Sequence, residues 1–234
     1  MGRSRSNPSA TISIGLSVIS ATSPSNKTIP HGIYPLEGST ATRSIAEDLV
    51  IVRPIEFTGL MDPALSVRPF RASDAAPLTD LLHAAYAELG AMGLNYTAVD
   101  QDVETTRARA LGGQCWVIER AGQIVASLTM SLPPSDGLRE LTAEARVGDR
   151  AWLNQVAVSP ALRGRGLAAD LWHRGRRWAA ARQATSIGVD TAIPAVHLVR
   201  LYESWGFETV DTIHWPGKTY DSVVMARPLG PSDA

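Results

Sequence analysis

Cysteine, lysine and net charge are all scarce in this chain, and each shortage narrows its chemistry. Among 234 residues Cys115 is the only cysteine, which excludes an intramolecular disulfide and a cysteine-rich zinc site. Its place in the apolar run Cys115-Trp116-Val117-Ile118 assigns it to core packing rather than to nucleophilic work. Lysine occurs only at Lys27 and Lys218, so positive charge is carried almost wholly by arginine. The formal charge is −1, which leaves no global attraction to nucleic acid or to a membrane surface. No segment supplies the ~18 continuous apolar residues of a spanning helix, and a cytoplasmic location is expected. There is no G-x-S-x-G elbow for a serine nucleophile. His83, His173, His197 and His214 lie at no metal-ligand spacing, so no metal is expected. The aromatic interleaving that a nucleic-acid groove needs is also missing.

Acidic residues are absent from the start of the chain. Residues 1–36 contain no Asp or Glu but eight serines, with no sustained apolar period that could form a packed face. Residues 1–62 are expected to be a disordered extension, a transit-peptide-like leader, or sequence upstream of a true start at Met61. The remaining residues, 63–230, can bury one substantial core, given a hydrophobic content of 44% for the whole chain.

What is present begins with alternation over residues 66–70, which reads as a strand. Ser73 or Asp74 then caps a helix through Leu78, Leu81, Leu82, Ala85 and Leu89 that stops at Gly90. A second helix is predicted over residues 100–111. Residues 114–119 and 123–131 read as paired strands about the turn Ala121-Gly122. From Pro133 to about Arg150 a charged, mobile loop is expected. A central strand over 152–158, a helix over 167–183, a strand over 186–190 and a helix over 196–205 follow. Residues 207–215 and 220–225 close the pattern as a hairpin. The order β-α-α-β-β-β-α-β-α-β-β predicts an α/β (α+β) fold, a mixed sheet with helices on both faces.

Within this order the segment from Asn154 to Ala169 carries the chemistry. Val156, Ala157 and Val158 form the end of an apolar strand, and Ser159-Pro160 stops it. Gly164 and Gly166 then remove the Cβ atoms that would keep a ligand from the backbone. A helix starting there directs unpaired N–H groups and the positive end of its dipole at whatever lies above, which favours an anion such as a diphosphate. Arg163 and Arg165 add mobile positive charge. Gly164-x-Gly166-x-x-Ala169 fits a dinucleotide fingerprint, with Asp190 near the position of its ribose-binding acid. Against that reading, Ser159 to Arg163 separate strand from glycine, and only 44 residues follow Asp190, too few for further strand-helix units.

The same residues read as Arg163-x-x-Gly166-x-Ala168 resemble the R/Q-x-x-G-x-G/A motif of the GCN5-related N-acetyltransferases. Downstream, Leu201-Tyr202-Glu203-Ser204-Trp205-Gly206-Phe207 resembles that family's L-Y-E-x-x-G-F segment at the distance expected. The resemblance extends over about residues 66–228 and implies a mostly antiparallel sheet whose central strands splay apart. It implies acetyl-CoA as cosubstrate, with its pantetheine arm along the backbone of Val156, Ala157 and Val158. The amides from Arg163 through Gly164, Arg165, Gly166 and Leu167 to Ala168 would take the pyrophosphate. Tyr202 would protonate the leaving thiolate, and Asp190 would accept the proton of the attacking amine.

Three positions depart from the family. Asn154 and Gln155 stand in the central strand where relatives place a Glu, and Ala195 stands where an Asn often bonds pantetheine. The acceptor would be a small-molecule amine or a peptide or protein amine, lined by Tyr86, Asn95, Tyr96, His214, Trp215, Lys218 and Tyr220. No nucleic-acid or membrane partner is expected, and a homodimer is allowed. A non-catalytic CoA-binding module is the competing expectation, with dinucleotide binding behind it.

Overall fold

The computed structural model describes residues 65–230 and Asp233; the expectations for residues 1–62 lie outside them. Seven strands form one sheet in the order β1-β2-β3-β4-β5-β7-β6. They are β1 Leu65–Pro69, β2 Gln114–Arg120, β3 Gln123–Ser131, β4 Arg150–Val158, β5 Ser186–Ala192, β6 Glu208–Ile213 and β7 Ser222–Pro228. Only β4 and β5 run parallel; every other pairing is antiparallel. This excludes the doubly wound parallel sheet that a dinucleotide-binding reading of the glycine loop needs.

Helices cover both faces because the strands are apolar on both. In β2, Cys115 and Val117 pack with Leu78, Leu82 and Ala110 of α1 (Ala75–Ala91) and α3 (Val103–Leu111). Ile118 turns to the opposite core, under α5 (Leu167–Ala180). Along α5 the buried residues Leu167, Leu171, Gly175 and Ala179 fall four apart, one stripe of a helix whose other side faces solvent. Arg176 on the same helix is not free surface charge. It pairs with Asp233, which Arg227 also engages at 3.1 Å, and Arg182 lies over the Trp178 ring at 4.2 Å. The remaining helices are α2 Thr97–Asp100, α4 Asp136–Leu141 and α6 Val196–Ser204.

Two expected elements need correction. The predicted 100–111 helix begins only at Val103, where the Asp102 carboxylate accepts from Thr105 N–H at 2.7 Å and serves as the N-cap. Nor is the 133–150 segment a loop throughout. It folds α4 over the sheet, where Leu138 and Ala145 pack on Trp152, Ile213 and Val224. The apolar pair Leu138 and Leu141 was masked by the surrounding charge.

The centre of the sheet opens where β4 and β5 part. Their pairing runs Arg150↔Ser186, Ala151↔Ile187, Trp152↔Gly188 and then ends. Beyond it β5 stays with β7 and β4 stays with β3. On β4 a bulge marks the divergence: Ser127 faces Ala157 but Thr129 faces Asn154, so β4 carries one extra residue, and Gln155 takes φ 43°. A Cβ on Gly188 would lie 2.2 Å from Trp152 Cζ3. The absence of a side chain there is what lets the Trp152 indole cross β5 at the point of separation.

Candidate active site

Two cavities meet in this opening. One, of about 400 Å³, is bounded by α1, the end of β4, the glycine loop and α6. The other, of about 890 Å³, lies toward α3, the 131–136 segment and the β6–β7 turn. Tyr86, Val156, Leu198 and Tyr202 line both.

The first cavity is made largely of backbone. Gly164 and Gly166 adopt φ 75° and 81°, a region that other residues enter only with strain. Gly166 is the N-cap of α5, and the first helical bond runs from Asp170 N to Gly166 O at 3.0 Å. The N–H groups of Leu167 to Ala169 therefore have no intrahelical acceptor, and all three residues line the cavity. Val156, Ala157 and Val158 line it as well, on a strand edge that β5 has left. Arg163 behaves differently from the expected mobile cation. Its guanidinium bonds Glu88 at 2.6 Å and the Ala85 carbonyl at 2.9 Å, so it straps the glycine loop to α1. Arg165 is exposed and does not line the cavity. Tyr86 donates to the Val156 carbonyl at 3.1 Å, so one acceptor on the strand edge already has a partner.

These residues fit acetyl-CoA in the parts that need no side-chain specificity: amides at a helix start for the diphosphate and a free strand edge for the pantetheine. Ala195 is buried with Leu89, Leu94 and Tyr220 and lines neither cavity, so it offers pantetheine nothing.

Tyr202 sits where the cavities join. Its ring packs edge-on against Trp205 and Phe207 at 5.8 and 5.9 Å, so the packing role and the cavity-facing role coincide. Its hydroxyl makes no hydrogen bond to another described residue. Burial pushes it well above the ordinary tyrosine value, with smaller contributions from Tyr86, Tyr96 and Asp190, and it stays protonated at any physiological pH.

Asp190 lies inside β5 rather than at its end, since the strand continues to Ala192. It lines the larger cavity, and two indoles hold its carboxylate. Trp152 Nε1 donates to Oδ1 at 3.1 Å and Trp215 Nε1 to Oδ2 at 2.9 Å. Burial raises its pKa, while the two indole N–H groups and the Arg109 charge pull it down; the net shift is upward. The amide nitrogens of the central strand are already occupied, while Gln155 Oε1 is buried without a hydrogen-bond partner among the described residues. Asn154 Nδ2 donates to Ser131 Oγ and the Trp152 carbonyl, and Gln155 Nε2 to Gln101 Oε1.

The Acetyltransferase (GNAT) family matches residues 78–207, more than half of the chain. The chain belongs to this family. Solved GNAT structures share its fold. An acetyltransferase of the GNAT family from Listeria monocytogenes aligns with TM-score 0.56 and 19% identity over 70% of this chain and 95% of that one. The ribosomal-protein-S18-alanine N-acetyltransferase from Escherichia coli aligns with TM-score 0.53 and 15% identity, covering 71% and 94%. The Salmonella typhimurium protein yncA, solved with its cofactor acetyl-CoA, aligns with TM-score 0.52 and 21% identity, covering 72% and 95%. At these identities the likeness speaks for the fold alone. No curated protein is similar enough to match.

Of the residues expected to line an acceptor, Tyr86, Tyr96, Trp215, Lys218 and Tyr220 line the larger cavity, whereas Asn95 and His214 do not. His214 pairs outside with Asp221 at 2.8 Å. Asn95 ties the β6–β7 turn to the α1–α2 loop, donating to the Gly217 carbonyl and accepting from Thr219 N–H, both at 2.9 Å. Sequence reading missed Arg109 of α3, which lines the same cavity, and His197, which lines the smaller one. For Arg109 the available signal was its place beside Ala110 and three residues after Thr106, the buried positions of an otherwise polar helix. Among the described residues no group of His, Cys, Asp and Glu could hold a metal ion, and no helix is long and apolar enough to cross a membrane.

Proposed function

We propose that this protein is an acetyl-CoA-dependent N-acetyltransferase that passes the acetyl group directly to an amine within a ternary complex. The observation that carries the reading is the junction at Tyr202, where a cavity lined by free backbone amides opens into one holding a desolvated carboxylate. Val156 to Val158 would hold the pantetheine and the amides at the start of α5 the diphosphate. When bound, acetyl-CoA supplies a thioester carbonyl as acetyl donor.

The chain's own residues handle the protons. An alkyl amine is protonated at neutral pH, with a pKa of ~10 for a lysine and ~8 for an α-amine. Asp190, with its acidity weakened by burial, accepts that proton directly or through water. As the nitrogen–carbon bond forms and the carbon–sulfur bond breaks, Tyr202 would give its hydroxyl proton to sulfur, and the second proton, lost by the acylated nitrogen, would restore it. A covalent enzyme intermediate has no candidate thiol among the described residues, since Cys115 is buried and its pKa is pushed up to about 11.

A non-catalytic CoA-binding module remains the second reading, because neither Asn154 nor Gln155 can act as a base. Calorimetry with acetyl-CoA against NADH, followed by free-thiol release with a panel of amines, separates the readings. Tyr202→Phe is expected to lower kcat by about 10²-fold or more with little change in acetyl-CoA affinity. Tight acetyl-CoA binding with no turnover for any amine supports the module, and binding of NADH alone defeats both.

A further inference from the structure

The larger cavity holds charges of both signs on its wall. Arg109 comes from α3 and Lys218 from the β6–β7 turn, while Asp190 comes from β5, and all three line it. Neither cation has a carboxylate in an ion pair among the described residues. The Arg109 guanidinium makes one long bond, to Gln101 Oε1 at 3.4 Å, and the Lys218 ammonium bonds only neutral oxygens, Asn95 O at 2.7 Å and Thr97 Oγ1 at 3.1 Å. The cavity's other carboxylate, Asp136, pairs with Arg139 on the exposed face of α4 at 3.4 Å. Desolvation is the leading effect on both cations and lowers both; Tyr86, Asp190 and Tyr220 offset part of it at Arg109, while at Lys218 Arg109 adds to it and Asp100 opposes it. Arg109 is exposed and Lys218 half-buried, and two like charges facing one cavity without a carboxylate partner leave a place for an anion to join them.

Resting on the acetyltransferase reading above, we infer that the acceptor is an amine that carries its own anion, an amino acid in the simplest case. Its amine faces Asp190 and Tyr202, and its carboxylate bridges Arg109 and Lys218. A guanidinium and an ammonium together supply the several N–H donors that a carboxylate or a phosphonate accepts. Tyr86 and Tyr96, edge to face at 5.5 Å, and Tyr220, tilted against Tyr96 at 5.1 Å, give the same cavity an aromatic wall for an apolar side chain.

The test uses the full-length protein and four matched acceptors: phenylalanine, phenylalaninamide, 2-phenylethylamine and the phosphonate analogue of phenylalanine. The expected result is a kcat/KM at least about tenfold higher for an anion-bearing acceptor than for the amide or the plain amine, the size of one charge-assisted contact. The carboxylate and phosphonate arms decide which anion is preferred. Arg109→Met should bring the amino acid to amide ratio toward one with acetyl-CoA affinity unchanged, and Lys218→Met should do the same to a smaller degree. Calorimetry with phenylalanine in the presence of CoA gives a readout independent of turnover, and it should show binding that Arg109→Met removes.

Equal or better acetylation of the amide, or a peptide N-terminus preferred over every free amino acid, overturns the inference while leaving the acetyltransferase reading intact. Acetyl-CoA binding without phenylalanine binding or turnover also overturns it. Failure to bind acetyl-CoA instead removes the reading underneath.

Discussion

The two cavities are built by different means. The smaller one is made of backbone: two left-handed glycines, the uncapped start of α5 and a strand edge abandoned by its neighbour. The larger one is made of side chains delivered by α1, α3, β5 and the β6–β7 turn, which meet only after the whole sheet has formed. A backbone site tolerates most substitutions around it and fails when the chain path changes. A side-chain site keeps its shape but loses function one charge or one ring at a time. The first suits a ligand shared by many relatives, and the second suits an acceptor particular to one.

The sharpest way to break this contrast is Gly166→Glu. It forces a non-glycine residue to φ 81° and puts negative charge at the helix start where an anion is favoured. Acetyl-CoA binding should be lost by calorimetry, whereas Gly166→Ala should cost about 1 kcal/mol of stability and weaken binding far less. If the glutamate variant binds normally, the donor site is not where the backbone puts it.

On the side-chain half, Asp190→Asn is expected to lower kcat/KM by about 10²-fold. The sign with pH follows from the upward shift. A base must be ionised, so wild-type kcat/KM falls as pH drops through a value above the ordinary carboxylate pKa of about 3.9, and Asp190→Asn should erase that acid limb. An unchanged profile would make Asp190 a hydrogen-bond post for Trp152 and Trp215 only.

Gly188→Ala probes how the halves are joined. The added methyl meets the Trp152 ring at 2.2 Å, and overpacking of this kind costs about 1–3 kcal/mol, measurable as a fall in the urea midpoint. The displaced indole should also release Asp190 Oδ1 and shift the acid limb. The smallest effect is expected far from both cavities. The Asp74 carboxylate is held below its ordinary pKa, first by its hydrogen bonds from Arg68, at 2.6 and 3.0 Å, and then by Arg71 N–H at 2.7 Å, both against the opposing cost of burial. A depressed folded pKa stabilises above the unfolded value of about 3.9 and is lost as pH falls through the lower folded value. Asp74→Asn should therefore flatten the loss of Tm below about pH 4 without altering turnover at neutral pH.

The contrast also explains what the sequence could disclose. Strand alternation at Gln114–Arg120 and the glycines at 164 and 166 are local, so the sheet, α5 and the glycine turn before it were legible. The same is true of Tyr202, because the residues around it form a contiguous segment. Arg163 was misread as free charge because its partners, Glu88 and the Ala85 carbonyl, are 75 and 78 residues away. Arg109 went unnoticed for the same reason, since its neighbours in space come from distant elements. The bulge at Gln155 had no sequence cue either, since it rests on a φ of 43° in a residue other than glycine. The 133–150 segment hid α4 because its few apolar residues make sense only against Trp152 and Val224.

The Asn95 linkage bears on how firmly the β6–β7 turn is held. With Asn95 bonded to Gly217 and Thr219, and Lys218 reaching Asn95 O and Thr97, two stretches of chain more than 120 positions apart are tied together. The β6–β7 turn cannot move away from the α1–α2 loop without parting several hydrogen bonds at once. Changing one asparagine would loosen it from both sides.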